Sequence, residues 1–222
     1  MTRTFLSMQI VVLTISVLFS TSFTSPASAR ERRKNRTQLE RFFSEKGSIV
    51  VIESQDVGRV FKSVDAKIIL NFEAVVLYLP GRDDKVMKGI RITLKGGRTT
   101  RKEIMTAFID SSEIPSLYSA LLYILKTEKK VRNNKKNIHI TYVTKGDFSV
   151  GLIHQKGGTT DFYYRISHDD GGTTSSVKIH ATYYMLRQIR KNIKRAVKYL
   201  NRHHKKIRKP KSDLESKKEL NT

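Results

Sequence analysis

His168-Asp169-Asp170 is the run in this chain that most resembles a reaction centre. Adjacent histidine and aspartate side chains can hold a metal ion that activates water, as in metal-dependent phosphohydrolases. The flanking residues argue for another role. Asp-Asp-Gly-Gly between two alternating segments, one carrying Phe162, Tyr164 and Ile166 and the other Val177 and Ile179, is a hairpin signal in its own right. His139, His154 and His180 fall in strand-like segments, where core or surface positions account for them. His203-His204 near the C-terminus offers a transition metal no more than a loose pair of ligands. Asp147, Asp161 and Asp169 would form a catalytic pair only if the fold gathered them. No nucleophile elbow, P-loop, dinucleotide fingerprint or metalloprotease helix occurs, and Gly157-Gly158 and Gly171-Gly172 lack the strand-to-helix placement that a phosphate cradle needs. The absence of cysteine removes disulfides, thiolate metal sites and a cysteine nucleophile. The balance leans away from an enzyme and implies no catalytic residue, no metal and no cofactor.

What stands out instead is charge. The 222 residues carry a formal +23, with a pI near 10.2, which favours encounter with anionic partners. The charge is concentrated in 181–202, ATYYMLRQIRKNIKRAVKYLNR. Leu186, Ile189, Ile193, Ala196, Val197 and Leu200 recur at three- and four-residue steps and form one stripe of a helix. Arg187, Arg190, Lys191, Lys194, Arg195 and Lys198 fill the intervening positions as a candidate anion-binding face, with no Asp or Glu between 183 and 202. From 187 to 218 there are fourteen Lys and Arg against Asp213 and Glu215. Such a field concentrates anions without specifying them. Tyr163, Tyr183 and Tyr184 lie near it in sequence and offer rings for stacking, although tyrosines more commonly pack at a core edge.

The elements that must carry this face read as strands and helices in two similar sets. In the first half, 48–53 and 59–64 are short strands separated by a turn at Gln55-Asp56-Val57-Gly58. A longer strand over 66–79 changes apolar parity near Glu73-Ala74, which predicts a β-bulge or bend there. Pro80 to Asp84 closes a hairpin. The next strand places Val86, Lys88, Ile90, Ile92 and Leu94 on one face and leaves the other wet. A strand over 100–109 then leads to a helix over 114–131, capped by Ser111 or Ser112, with Pro115 in its first turn. In the second half, alternating segments around Ile138, Phe148, Phe162 and Val177 are joined by turns at Lys145-Gly146-Asp147, 155–160 and 169–172, and the last strand runs into the basic helix. The matching Gly96-Gly97 and Gly171-Gly172, each one strand before a helix, hint at an internal duplication.

The expected fold class is therefore α+β: two antiparallel β-meanders, each followed by an α-helix packed on a sheet face. Residues 1–29 read as a secretory signal peptide. Arg3 supplies the positive start, 10–19 the apolar centre and Ala27-Ser28-Ala29 the cleavage pattern, and the apolar run is too short to span a bilayer. Residues 30–47 form a basic N-terminal arm, in which Leu39, Phe42 and Phe43 suggest one docking helical turn. Residues 48–202 form the single domain, divided at about 133, and 203–222 read as a disordered basic tail. Export combined with the lack of cysteine favours a bacterial periplasm or the medium. The expected function is an exported, non-enzymatic binding or structural protein whose basic helix face engages an anionic envelope component, either a polymer or a membrane surface. The alternative is a periplasmic hydrolase or metal-dependent enzyme with a site between the halves. Nucleic acid ranks behind both, because export separates the protein from it.

Overall fold

The computed structural model describes residues 36–44, 47–61, 68–80, 82–96, 104–169 and 174–207. Residues 1–29, expected to be a signal peptide, the start of the basic arm, the residues beyond 207, Gly97, and Asp170, Gly171 and Gly172 lie outside the described residues. The first element among the described residues is a short helix, α1 (Gln38–Phe43), followed by β1 (Val51–Phe61), β2 (Ile69–Leu79), β3 (Arg82–Lys95), β4 (Ile104–Asp110) and α2 (Ile114–Val131). The second half follows with β5 (Ile138–Val143), β6 (Phe148–His154), β7 (Thr160–Asp169), β8 (Thr174–Ala181) and α3 (Tyr183–Ile207). Each set of four strands forms an antiparallel sheet in sequence order, β1-β2-β3-β4 and β5-β6-β7-β8. The α+β class and the two meander-helix halves are as the sequence predicts.

The helices do not stay with their own sheets. The α3 helix lies across β1, β2 and β3 of the first sheet, while α2 lies against β5 and β6 of the second, and the two helices touch each other. One hydrophobic core consequently runs through both halves. Leu70, Phe72, Ile90 and Ile92 of the first sheet, Val150, Tyr164 and Ile166 of the second, Leu117 and Leu121 of α2, and Ile189 and Ile193 of α3 all belong to it. With the helices exchanged in this way, the apolar stripe of each covers the core-facing side of the other half's sheet.

A smaller cluster lies on the other face of the first sheet. There Leu39 and Phe42 of α1 cover Val75, Leu77 and Leu79 of β2. The α1 helix is held by a capping box between Thr37 and Glu40 and by the buried carboxylate of Asp110, which accepts from the backbone N–H of Gln38 at 2.8 Å and of Leu39 at 3.1 Å. At Gly89 an added Cβ would lie 2.1 Å from the Ile109 carbonyl oxygen and 2.4 Å from Leu39, so glycine lets α1 settle onto β3.

This covering explains the change of parity in 66–79. Leu70, Phe72, Ala74 and Val76 face the main core, and Val75, Leu77 and Leu79 face the α1 cluster, so both sets are buried on a strand whose pairing with β3 is regular from Ile69 to Tyr78. No bulge occurs at Glu73-Ala74. The irregularity is in the partner strand, between Asp56 and Gly58, directly opposite Glu73 and Phe72. The described parts of the segments expected at 48–53 and 59–64 accordingly join in one strand, β1, rather than two, with 62–64 outside the described residues. The turn chemistry is real but local: Asp56 accepts from the Gly58 N–H at 2.9 Å, Gly58 takes φ +142°, and the extra residue Val57 is turned into the core.

Two further boundaries differ from expectation. The N-cap position of α2 is Glu113, with no side-chain cap bond; neither Ser111 nor Ser112 fills the role. The Glu113 carboxylate instead accepts from the Lys145 N–H at 2.8 Å and ties α2 to the β5-β6 turn. The basic helix also continues past Arg202 to Ile207.

Candidate anion-binding face

The α3 helix turns its apolar stripe inward. Met185, Leu186, Ile189, Ile193, Ala196 and Leu200 are buried, and Val197 is half-buried against the same core. At 100° per residue these side chains centre on one side of the helix, and Arg187, Lys191, Lys194 and Lys198 centre on the opposite side within about 60° of arc. All four are exposed. Arg202 continues the row and is exposed as well. No member of the row forms an ion pair among the described residues.

The other two predicted residues behave differently. Arg190 is half-buried, with its guanidinium 5.8 Å from the ring centre of Tyr118 on α2, a cation-π contact that joins the two helices. Arg195 is exposed but donates to the Val57 carbonyl at 3.4 Å, at the β1 bulge. Next to it Asn192 is 2% exposed and rests against Gly58, where an added Cβ would lie 2.4 Å from the Asn192 side-chain oxygen. The bulge in β1 is thus the seat of the basic helix. Of the six cations the sequence groups together, the structure leaves four in an open row and draws two onto the body of the protein.

The tyrosines divide in the same way. Tyr184 is 66% exposed and Tyr183 41% exposed at the start of α3, with the Tyr183 ring edge-on to Phe162. Tyr163 is buried on the outer face of the second sheet and is not open to stacking. Its hydroxyl meets the Thr141 hydroxyl and His139 Nε2, the Lys178 ammonium lies 4.4 Å above its ring, and Gly151 makes room beneath it. Residue types alone do not disclose this polar cluster. Strand alternation places His139, Thr141 and Tyr163 on one face, but only the register of β5, β6 and β7 brings them together.

Among the described residues the candidates for catalysis do not gather into a metal-binding cluster. His154 is fully buried, and both ring nitrogens are engaged: Nε2 donates to the Asn134 carbonyl and Nδ1 shares a hydrogen bond with the Thr160 hydroxyl, each at 2.9 Å. Burial with both nitrogens engaged marks a structural histidine. Asp161 and Asp169 stand eight residues apart on β7, roughly 26 Å at the rise of an extended strand. Asp147 sits in the β5-β6 turn with φ +59°, and its backbone carbonyl accepts from the Ser167 N–H of β7 at 3.1 Å. An open depression of about 510 Å³ at the edge of β5 and β6 is lined by Asn137, Ile138, His139, Ile153, His154, Gln155 and Lys156. It holds no carboxylate, and both of its imidazoles are already committed to hydrogen bonds. Among the described residues no group of three or more His, Asp or Glu is placed to hold a metal ion, and no helix is long and apolar enough to cross a membrane. Comparison with protein-family models, with curated proteins and with solved structures found no match.

Proposed function

We propose that this is an exported, non-enzymatic binding or structural protein whose basic helix engages an anionic component of the cell envelope. Export rests on Arg3, the apolar run 10–19 and Ala27-Ser28-Ala29. The observation that carries the binding reading is the row of Arg187, Lys191, Lys194 and Lys198: exposed, aligned, opposite the buried stripe and without ion pairs among the described residues. Like charges at three- and four-residue spacing repel, by about 0.2–0.5 kcal/mol per pair. Three successive pairs therefore cost the free helix about 1 kcal/mol. A bound polyanion reverses that sign.

The test is retention on an immobilised polyanion across a salt series. The full chain is compared with the R187Q/K191Q/K194Q/K198Q variant. Elution of the variant at clearly lower salt supports the reading; identical elution refutes it and assigns retention to the remaining charge.

A further inference from the structure

We infer that the ligand of this face is a linear anionic polymer lying along the axis of α3, rather than the plane of a membrane. The inference rests on the polyanion reading above and concerns the shape of the site. The open cations form a single file. Their axial steps are about 6, 4.5 and 6 Å, and Arg187 to Lys198 spans roughly 17 Å. On either flank the charge turns away from the row, Arg190 onto Tyr118 of α2 and Arg195 onto the Val57 carbonyl of β1. The helix beneath is fixed, since Leu186, Ile189, Ile193 and Ala196 are all fully buried. A fixed, narrow, convex line of charge can meet successive anionic groups of one extended chain.

A bilayer is a poorer match. Helices that bind membranes lying flat gain much of their affinity by sinking an apolar face among the acyl chains. Here that face is spent on the protein's own core. What remains is the electrostatic attraction of one row, which fades within a Debye length of the surface and is quickly lost with added salt.

The experiment measures binding of the full chain to inorganic polyphosphate of graded length and to phosphatidylglycerol vesicles, matched in accessible phosphate, over a salt series. Polyphosphate is expected to bind more tightly than vesicles, with affinity climbing until the chain spans the row. Neutralising two row cations in K191Q/K194Q is expected to lower the log–log salt slope for polyphosphate by about 1.5. R195Q, checked for folding by its thermal transition, is expected to leave the slope unchanged. Vesicles that bind as tightly as the chains and lose the same slope in K191Q/K194Q would overturn the linear-polymer inference and leave the polyanion reading intact. A slope reduced by R195Q as much as by a row cation would also overturn it, because the site would then be a broad patch. If K191Q/K194Q changes neither ligand, the polyanion reading itself fails.

Discussion

Gly58→Ala is the substitution that most directly tests how the basic helix is seated. The new Cβ would lie 2.4 Å from the Asn192 side-chain oxygen and 2.8 Å from its carbonyl carbon, well inside contact distance. Asn192 has little room to withdraw, being 2% exposed between β1 and the core-facing side of α3. The backbone adds a second cost, because φ +142° is a conformation that side chains with a Cβ rarely adopt. Strain of that kind amounts to about 1–3 kcal/mol, and forcing an extra carbon into a packed site to about 1–3 kcal/mol. The expected loss is therefore about 2–6 kcal/mol, a large part of the ~5–15 kcal/mol that holds an ordinary domain together. Urea unfolding of G58A, N192A and the double variant separates the two contributions. Removing the Asn192 amide relieves the clash and leaves the φ strain, so the pair should couple by about 1–3 kcal/mol. The Asn192 Nδ2 has no hydrogen-bond partner among the described residues, so N192A by itself should cost mainly packing. A G58A protein within about 0.5 kcal/mol of the parent, or strictly additive effects, would refute the account of the bulge as the helix seat.

Other substitutions probe the core and the N-terminal helix. Tyr164 is fully buried, its hydroxyl lacks a partner among the described residues, and burial pushes its phenol above the ordinary tyrosine range. Y164F should be neutral or stabilising by about 1 kcal/mol in urea unfolding. Above pH 10, where the unfolded tyrosine ionises and the folded one holds its proton, the parent should lose stability faster than Y164F. Burial also raises Glu40 above its usual 4.5, against the lowering effect of its Thr37 hydrogen bonds. The native state therefore holds that proton more tightly than the unfolded chain, and this stability is full below 4.5 and lost as pH rises through the folded value. Stability measured from acid to neutral pH should shift in favour of E40Q over the parent and then level off; a difference flat in pH would refute this. Finally, D110A removes the acceptor for the Gln38 and Leu39 N–H groups and should speed hydrogen exchange of those amides far more than that of β2. Equal acceleration in both would show that Asp110 supports the whole domain rather than α1.

Periodicity made much of this protein legible. Apolar residues three and four apart in 114–131 and 186–200 specify two amphipathic helices whatever they meet, because a helix fixes which of its side chains share a face. Alternation in 138–142, 148–152 and 162–166 specifies one-faced strands in the same way, and four such strands before each helix specify the α+β class. The basic composition of α3 and the run at 1–29 are likewise properties of the residues in order.

Tertiary structure decided what each face meets. Sequence spacing cannot reveal that α3 covers the first sheet and α2 the second, since any apolar stripe will cover any apolar face. It cannot show that β2 is buried on both sides, because that depends on Leu39 and Phe42 arriving from more than thirty residues away in sequence. The Asp56-Val57-Gly58 segment has the local chemistry of a turn; pairing with β2 over its whole length makes it a bulge instead. The same reasoning governs the candidate site. Six cations alternate with an apolar stripe in the sequence, yet Arg190 and Arg195 are drawn aside by Tyr118 and by the Val57 carbonyl, groups on other elements, and only the remainder form an open row. Local order determines which way a side chain points along its own helix or strand; what it touches there is set by the elements that pack against it.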